Sequence, residues 1–263
     1  MSDSVDPVMD TSRMSLTEHL EELRTRIIHS LLGLLVAFGI CYSQSEPLFQ
    51  ILLRPLIKVL PPGGTVAITN LAEGFMVHLR VGLIGGFFLA SPWFFYQIWR
   101  FVAPGLYPKE RALVVPLMAA ASGLFLVGAS FGYFVVFPYV FGFFVEEAGA
   151  HVMPVLSISD YLGFSAQMLA MFGLVFELPL ASFIVSRLGI VTAAQMISFR
   201  RYAIVAIFVI AAVITPPDVV SQTFVALPLC ILYEISIIVA RVFGRESRWG
   251  APAQASGEAE AEE

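Results

Sequence analysis

Charge is scarce in this sequence. Asp, Glu, Lys and Arg together make up 13% of its 263 residues, where an ordinary soluble domain carries about 25%. A water-facing globular domain of this size is excluded by that deficit, and a lipid environment is indicated instead. Neither sign of charge is in real excess. The net charge of −5 comes from 20 acids and 15 bases, and four of the acids (Glu258, Glu260, Glu262 and Glu263) crowd the last six positions. Without them the chain is close to neutral, which argues against a nucleic-acid surface. Cysteine is nearly missing: Cys41 and Cys230 stand alone in apolar runs, which excludes a disulfide framework or thiolate metal centre and leaves them as small core-filling residues. The four histidines are scattered, and there is no HExxH, P-loop, G-x-S-x-G or pair of carboxylates at catalytic spacing. The chain is therefore expected to be no enzyme and to hold no cofactor or metal.

What is abundant is apolar. Hydrophobic residues reach 58% and the mean hydropathy is +0.82. Six apolar spans can be marked, at about 27–42, 75–98, 112–137, 161–185, 202–215 and 223–240. The predicted class is an all-α polytopic membrane protein: a cytoplasmic segment 1–26 with an amphipathic lead-in, a six-helix domain over 27–240, and a mostly disordered acidic tail over 241–263. Arg24 and Arg26 before the first span resemble the start of a secretory signal, but an acidic preceding segment and a weak cleavage sequence at Ser43-Gln44-Ser45 favour a retained anchor. The third span is expected to stop near Pro138. The fifth and sixth helices are expected to be short, because Pro216-Pro217 ends the fifth after about 14 apolar residues, roughly 21 Å at 1.5 Å per residue. A bilayer locally thinned around it is the expectation.

Basic residues set the orientation. Twelve of the 15 fall on the side where the first span begins, Arg54 and Lys58 fall on the other, and Arg80 lies within or at the edge of the second span. That bias makes the first side cytoplasmic, and an even number of spans places both termini there. On the far side, Glu46 to Leu60 has apolar residues near helical spacing and reads as an interfacial helix broken or kinked at Pro55.

Few residues are placed to do chemistry. The stretch Ser15 to Arg26 (SLTEHLEELRTR) has an apolar stripe of Leu16, Leu20, Leu23 and Ile27, with Glu18, Glu21, Glu22, Arg24 and Arg26 on the other faces, and Ser15 or Thr17 as its cap. Taken alone, it is an amphipathic lead-in lying on the membrane surface. The loop from Gln97 to Arg111 combines Trp99, Phe101 and Tyr107 with Arg100, Lys109, Glu110 and Arg111. Its plain reading is an aromatic and charged membrane-interface loop. Glu177 is different. A carboxylate at the centre of a span costs about 2.5–3.5 kcal/mol on insertion scales, and no base lies within a helical turn of it. It is expected to face a wet cavity or a polar partner, with Pro179 loosening the helix beside it and Gln167 able to hydrogen-bond across. Glu234 in the sixth span can snorkel toward the interface near Arg241. Asp218 can cap the sixth helix.

Several of these stretches, read in order, resemble one family. HLEELRTR before the first span, FVAPGLYPKER after the second, FVVFPYVFGFF in the third, FELP in the fourth and ITPPDVVSQ before the sixth are similar to TatC, the largest, six-span subunit of the twin-arginine protein translocase. The resemblance runs from about Leu16 to Arg241. It implies a receptor in the bacterial inner membrane for twin-arginine signal peptides of folded cargo. The implied partners are small single-span TatA- and TatB-like subunits, with several copies of this chain in the complex and export driven by the proton-motive force. It also implies roles for residues. Glu22 (with Arg24 beside it) and Glu110 become the signal-peptide acids, with Phe101 in the same region. Glu177 becomes the intramembrane acid, with Gln167 and Glu234 as further polar contacts, and Pro55 the periplasmic proline. Two separate acids meeting two guanidinium forks would select an arginine pair. The rival reading from another class is a proton-coupled secondary transporter with Glu177 as its site.

Overall fold

A computed structural model describes residues 16–61, 64–68, 72–102, 114–147, 155–216 and 218–244. Among these, six helical spans are long and apolar enough to cross a membrane. The first is α1 (Leu16–Ser43), a single helix, so the amphipathic lead-in does not lie apart on the surface but runs straight into the span. Then come α2 (Ser45–Val59), β1 (Thr65–Ala67) and the second span, α3 (Glu73–Val102). The third span is built of α4 (Val114–Phe131), a π-helical turn Gly132–Val136 and α5 (Phe137–Glu147). After β2 (Val155–Ser157) the fourth span follows as α6 (Ile158–Phe176) and α7 (Leu178–Arg187). The fifth is α8 (Ala193–Ile214) and the sixth α9 (Val219–Phe243).

Four expectations about the helices are corrected or refined by local interactions. The third span does not end at Pro138; helix continues to Glu147. A proline has no N–H for the carbonyl four residues back, and the chain absorbs this by widening one turn, with the Phe137 N–H bonding to Gly132 O. The fifth helix is the shortest of the six spans, as expected, but it exceeds the 14 residues of its apolar run, 202–215. Thr192 and Gln195 form a reciprocal capping box that starts α8 at Ala193, well before the apolar run, so its 22 residues reach about 33 Å. The helix thus continues through its polar flank, and its length gives no ground for bilayer thinning. The sixth, α9, is the next shortest with 25 residues. It is launched by Asp218, whose side chain accepts from Ser221 N at 2.6 Å. Finally, of the two forms expected at Pro55, a break or a kink, the break is ruled out, because α2 runs through it as one helix.

The interhelical contacts are those expected where lipid gives no hydrophobic drive to association and close backbone approach does the work. Gly86 lets α3 lie on α1: a Cβ there would sit 2.8 Å from Phe38 Cα. Gly128 does the same for α4 against α6, where a Cβ would strike Phe172 O and Phe176. The buried core gathers toward the α2 end of the bundle. Leu56, Val81, Phe137, Val140, Leu162 and Phe172 there are inaccessible or nearly so. The outward faces of α1 and α8 are apolar and exposed, as a lipid-facing surface requires.

The α2 end is closed by a cap. β1 and β2 pair in parallel, Val66 opposite Leu156, a contact with no signal in the hydropathy pattern. Glu73, buried at the start of α3, accepts from Ser159 N at 2.9 Å, and Arg80 reaches Ser159 O at 3.1 Å. Pro55 has a positive role here. With no N–H at position 55, Ile51 O lacks its intrahelical donor, and the Tyr133 hydroxyl supplies one. The Tyr161 hydroxyl also donates to the neighbouring carbonyl, Leu52 O, in addition to that carbonyl's place in the helix. Two tyrosines from different spans thus hold α2 across the bundle end. The same device recurs at Pro92 in α3, where Ser91 Oγ donates to Phe88 O at 2.8 Å.

Candidate functional site: two carboxylate sites at opposite depths

The first site lies where the start of α1 meets the end of α3. Glu22 Oε1 accepts from Arg26 NH2 at 2.8 Å, an i,i+4 pair on α1. Arg26 also approaches Gln97 Oε1 of α3 at 3.5 Å, and Gln97 is buried. One turn toward the helix start, His19 stacks on Phe101 with ring centroids 4.3 Å apart. On the other flank, Trp93 Nε1 donates to His29 O at 2.9 Å. These contacts place Glu22 in a partly enclosed notch between two helices rather than on an open surface.

Within that notch some bonding capacity is unused. Glu22 Oε2 and Arg26 Nε are buried and have no hydrogen-bond partner among the described residues. A carboxylate oxygen in that condition favours a further donor strongly, because the uncompensated group keeps its desolvation cost of about 1–3 kcal/mol. A guanidinium is the donor whose planar fork suits it. Arg24, expected beside Glu22, is exposed and turned to another face of α1; the partner is Arg26. Its i+4 spacing was visible in the sequence. Gln97 and His19 were not singled out, and only the crossing of α1 and α3 brings them in. Phe101 is in the site. Glu110 lies outside the described residues.

The second site is deep in the fourth span. Glu177 stands at the junction of α6 and α7, where its N–H bonds Leu174 O at 3.1 Å and Pro179 opens α7. The junction is a break because Pro179 cannot bond Val175 O. The carboxyl lies against the backbone of Phe125 in α4. Its Oε1 is buried with no partner among the described residues. Gln167 does not complete it: that side chain is exposed on α6, and no hydrogen bond joins the two. Ten residues of helix separate them by about 15 Å along the axis, so a shared face does not bring them together.

Glu234 was expected to look toward Arg241. Instead Arg200 of α8 holds it through two bonds, Nε to Oε1 at 2.7 Å and NH2 to Oε2 at 2.8 Å. The fork-to-fork geometry joins the fifth and sixth spans. Beside it Tyr233 donates to Met196 O at 2.8 Å. The two cysteines are unpaired, and no group of three or more metal-ligating side chains exists among the described residues.

Comparison with known proteins adds the following. The family described as Sec-independent protein translocase protein (TatC) matches residues 18–228. The chain is 48% identical over 230 residues to the Sec-independent protein translocase protein TatC of Desulforapulum autotrophicum, covering 88% of this chain and 85% of that protein. To the TatC protein of Escherichia coli it is 36% identical over 233 residues, covering 89% and 90%. A crystal structure of a protein described as the twin-arginine translocase receptor TatC superimposes with a TM-score of 0.79 at 36% identity, covering 87% of this chain and 100% of that one.

Proposed function

We propose, because this chain belongs to the TatC family of Sec-independent protein translocase proteins, that it is the receptor subunit of a twin-arginine translocase and reads arginine pairs at the Glu22 notch. The chain is a translocase component and not an enzyme, and the transporter reading of Glu177 falls away with the family assignment.

The observation that carries the proposal is the unpartnered Oε2 of Glu22, buried between α1 and α3. An incoming arginine bonds that oxygen with one guanidinium fork while Arg26 keeps Oε1. Phe101 and His19 offer flat faces on which a second guanidinium can stack. Glu110, in the loop that follows α3, supplies the second carboxylate. The notch then lies on the cytoplasmic side of the inner membrane, consistent with the basic residues gathered there, and both termini share that side. Glu177, with its own unpartnered oxygen, serves a different contact: a polar residue on the helix of a small single-span TatA- or TatB-like subunit. Several copies of the chain and its partners form the complex in which the proton-motive force drives export of folded cargo.

Photo-crosslinking of a twin-arginine signal peptide to the full chain in membranes tests the notch. Glu22→Ala is expected to cut the crosslink at least tenfold, since a charged hydrogen bond is worth about 1.5–3 kcal/mol, and Glu22→Asp to keep part of it. Wild-type crosslinking in Glu22→Ala with unchanged membrane insertion would remove the proposal.

A further inference from the structure

The three bases away from the Glu22 end of the bundle are not alike. Arg80 is engaged, reaching Ser159 O. Arg54 and Lys58 are exposed, one turn apart on one face of α2, and neither has a carboxylate or carbonyl partner among the described residues. The nearest acid on their own helix, Glu46, is already bonded to Gln50 at 3.0 Å and lies 4.0 Å from His78. Glu146 and Glu147 at the end of α5 form no ion pair with either base.

Both bases line the same cavity, about 290 Å³, whose other walls include Tyr133, Phe134 and Pro138 of the third span. Tyr133 fixes the geometry by bonding Ile51 O, so the cavity wall is tied to the helix carrying the bases. The residues next round that span, Val135 and Tyr139, line a second and larger hollow of about 470 Å³. Its far wall is Phe224 and Leu227 of α9, and Tyr139 stacks on Phe224 with centroids 5.9 Å apart. This hollow is almost wholly apolar and lies between two membrane spans. Two uncompensated cations at the bundle end, beside an apolar groove running down into the bilayer, match one kind of molecule: an anionic head joined to acyl chains.

We propose that Arg54 and Lys58 bind the phosphate of an anionic phospholipid in the outer leaflet, with an acyl chain lying in the groove between the third and sixth spans. A neutral zwitterionic lipid fits the groove equally well but carries a cation to the same two bases, so the discrimination lies in the head. The site also accounts for two bases on a side that otherwise excludes them.

The test uses the full chain in phosphatidylcholine nanodiscs doped with a phosphatidylglycerol or a phosphatidylcholine that bears a photoreactive acyl chain. Labelled peptides are mapped by mass spectrometry. Phosphatidylglycerol is expected to label residues 131–139 and 219–228 well above phosphatidylcholine. The excess should fall about fivefold for Arg54→Gln or Lys58→Gln alone, vanish in the double variant, and survive in R54K/K58R. Should the double glutamine variant fail to fold, the two single variants carry the same reading. Equal labelling by the two lipids, or an undiminished excess in the glutamine variants, overturns the proposal.

Discussion

Glu177 and Glu234 are both carboxylates inside apolar spans, and the structure treats them in opposite ways. Glu234 meets Arg200 through two short bonds and so becomes part of the seam between α8 and α9. Glu177 sits at a helix break, with one oxygen buried and without a donor. A satisfied intramembrane charge stabilises the bundle, whereas an unsatisfied one costs free energy and persists only where something else uses it. The contrast gives Glu234 a structural place and supports the partner contact proposed for Glu177.

The largest expected effect breaks the contrast at Glu177. Glu177→Leu should abolish co-purification of a single-span partner and export of a folded twin-arginine cargo, while the midpoint of thermal unfolding in detergent stays level or rises. An unpaired buried polar group costs about 1–3 kcal/mol, and leucine removes that cost. Normal export in this variant would make Glu177 structural after all.

At Glu234 the sign reverses. Arg200→Gln should lower stability by about 2 kcal/mol, since a bidentate charged pair is lost, and should be visible as a drop in the unfolding midpoint. Arg200→Gln with Glu234→Gln together should recover much of that, because the orphaned carboxylate is gone. A double-mutant cycle with no coupling between the two positions would show that the pair is incidental.

The α2 cap offers the smallest and most local test. Tyr133→Phe leaves Ile51 O without a donor and should cost about 1 kcal/mol. In Pro55→Ala/Tyr133→Phe the new N–H at position 55 can take up that carbonyl, so the double variant should be more stable than Tyr133→Phe alone. If it is not, the pairing of proline with tyrosine is not what holds α2.

Legibility differed between fold and site in a way these residues make plain. Six spans were countable because membrane crossing needs a long apolar run, a property of consecutive residues. Their limits were less so. Pro138 looked like a stop, but a π-helical turn accommodates it, and the fifth helix begins at a capping box outside the apolar run. Among the site residues, Glu177 stood out as an acid in a place where acids are expensive, whereas Glu22 was marked only by the family resemblance. Their surroundings were not legible: Arg26 rather than Arg24 neutralises Glu22, Gln167 does not reach Glu177, and Arg200 rather than Arg241 lies by Glu234.

Composition and the order of apolar and charged residues decided that this chain lives in a bilayer and crosses it six times, because insertion energy depends on residues one after another along the chain. The family was legible only through the resemblance of a few short motifs. Which carboxylates find a cation, which carbonyls freed by proline find a hydroxyl, and where two stray bases share a cavity were decided only when the helices crossed. Those contacts join positions far apart in the chain, such as Tyr133 with Ile51 and Arg200 with Glu234. They depend on helix rotation and depth, and hydropathy carries no information about either.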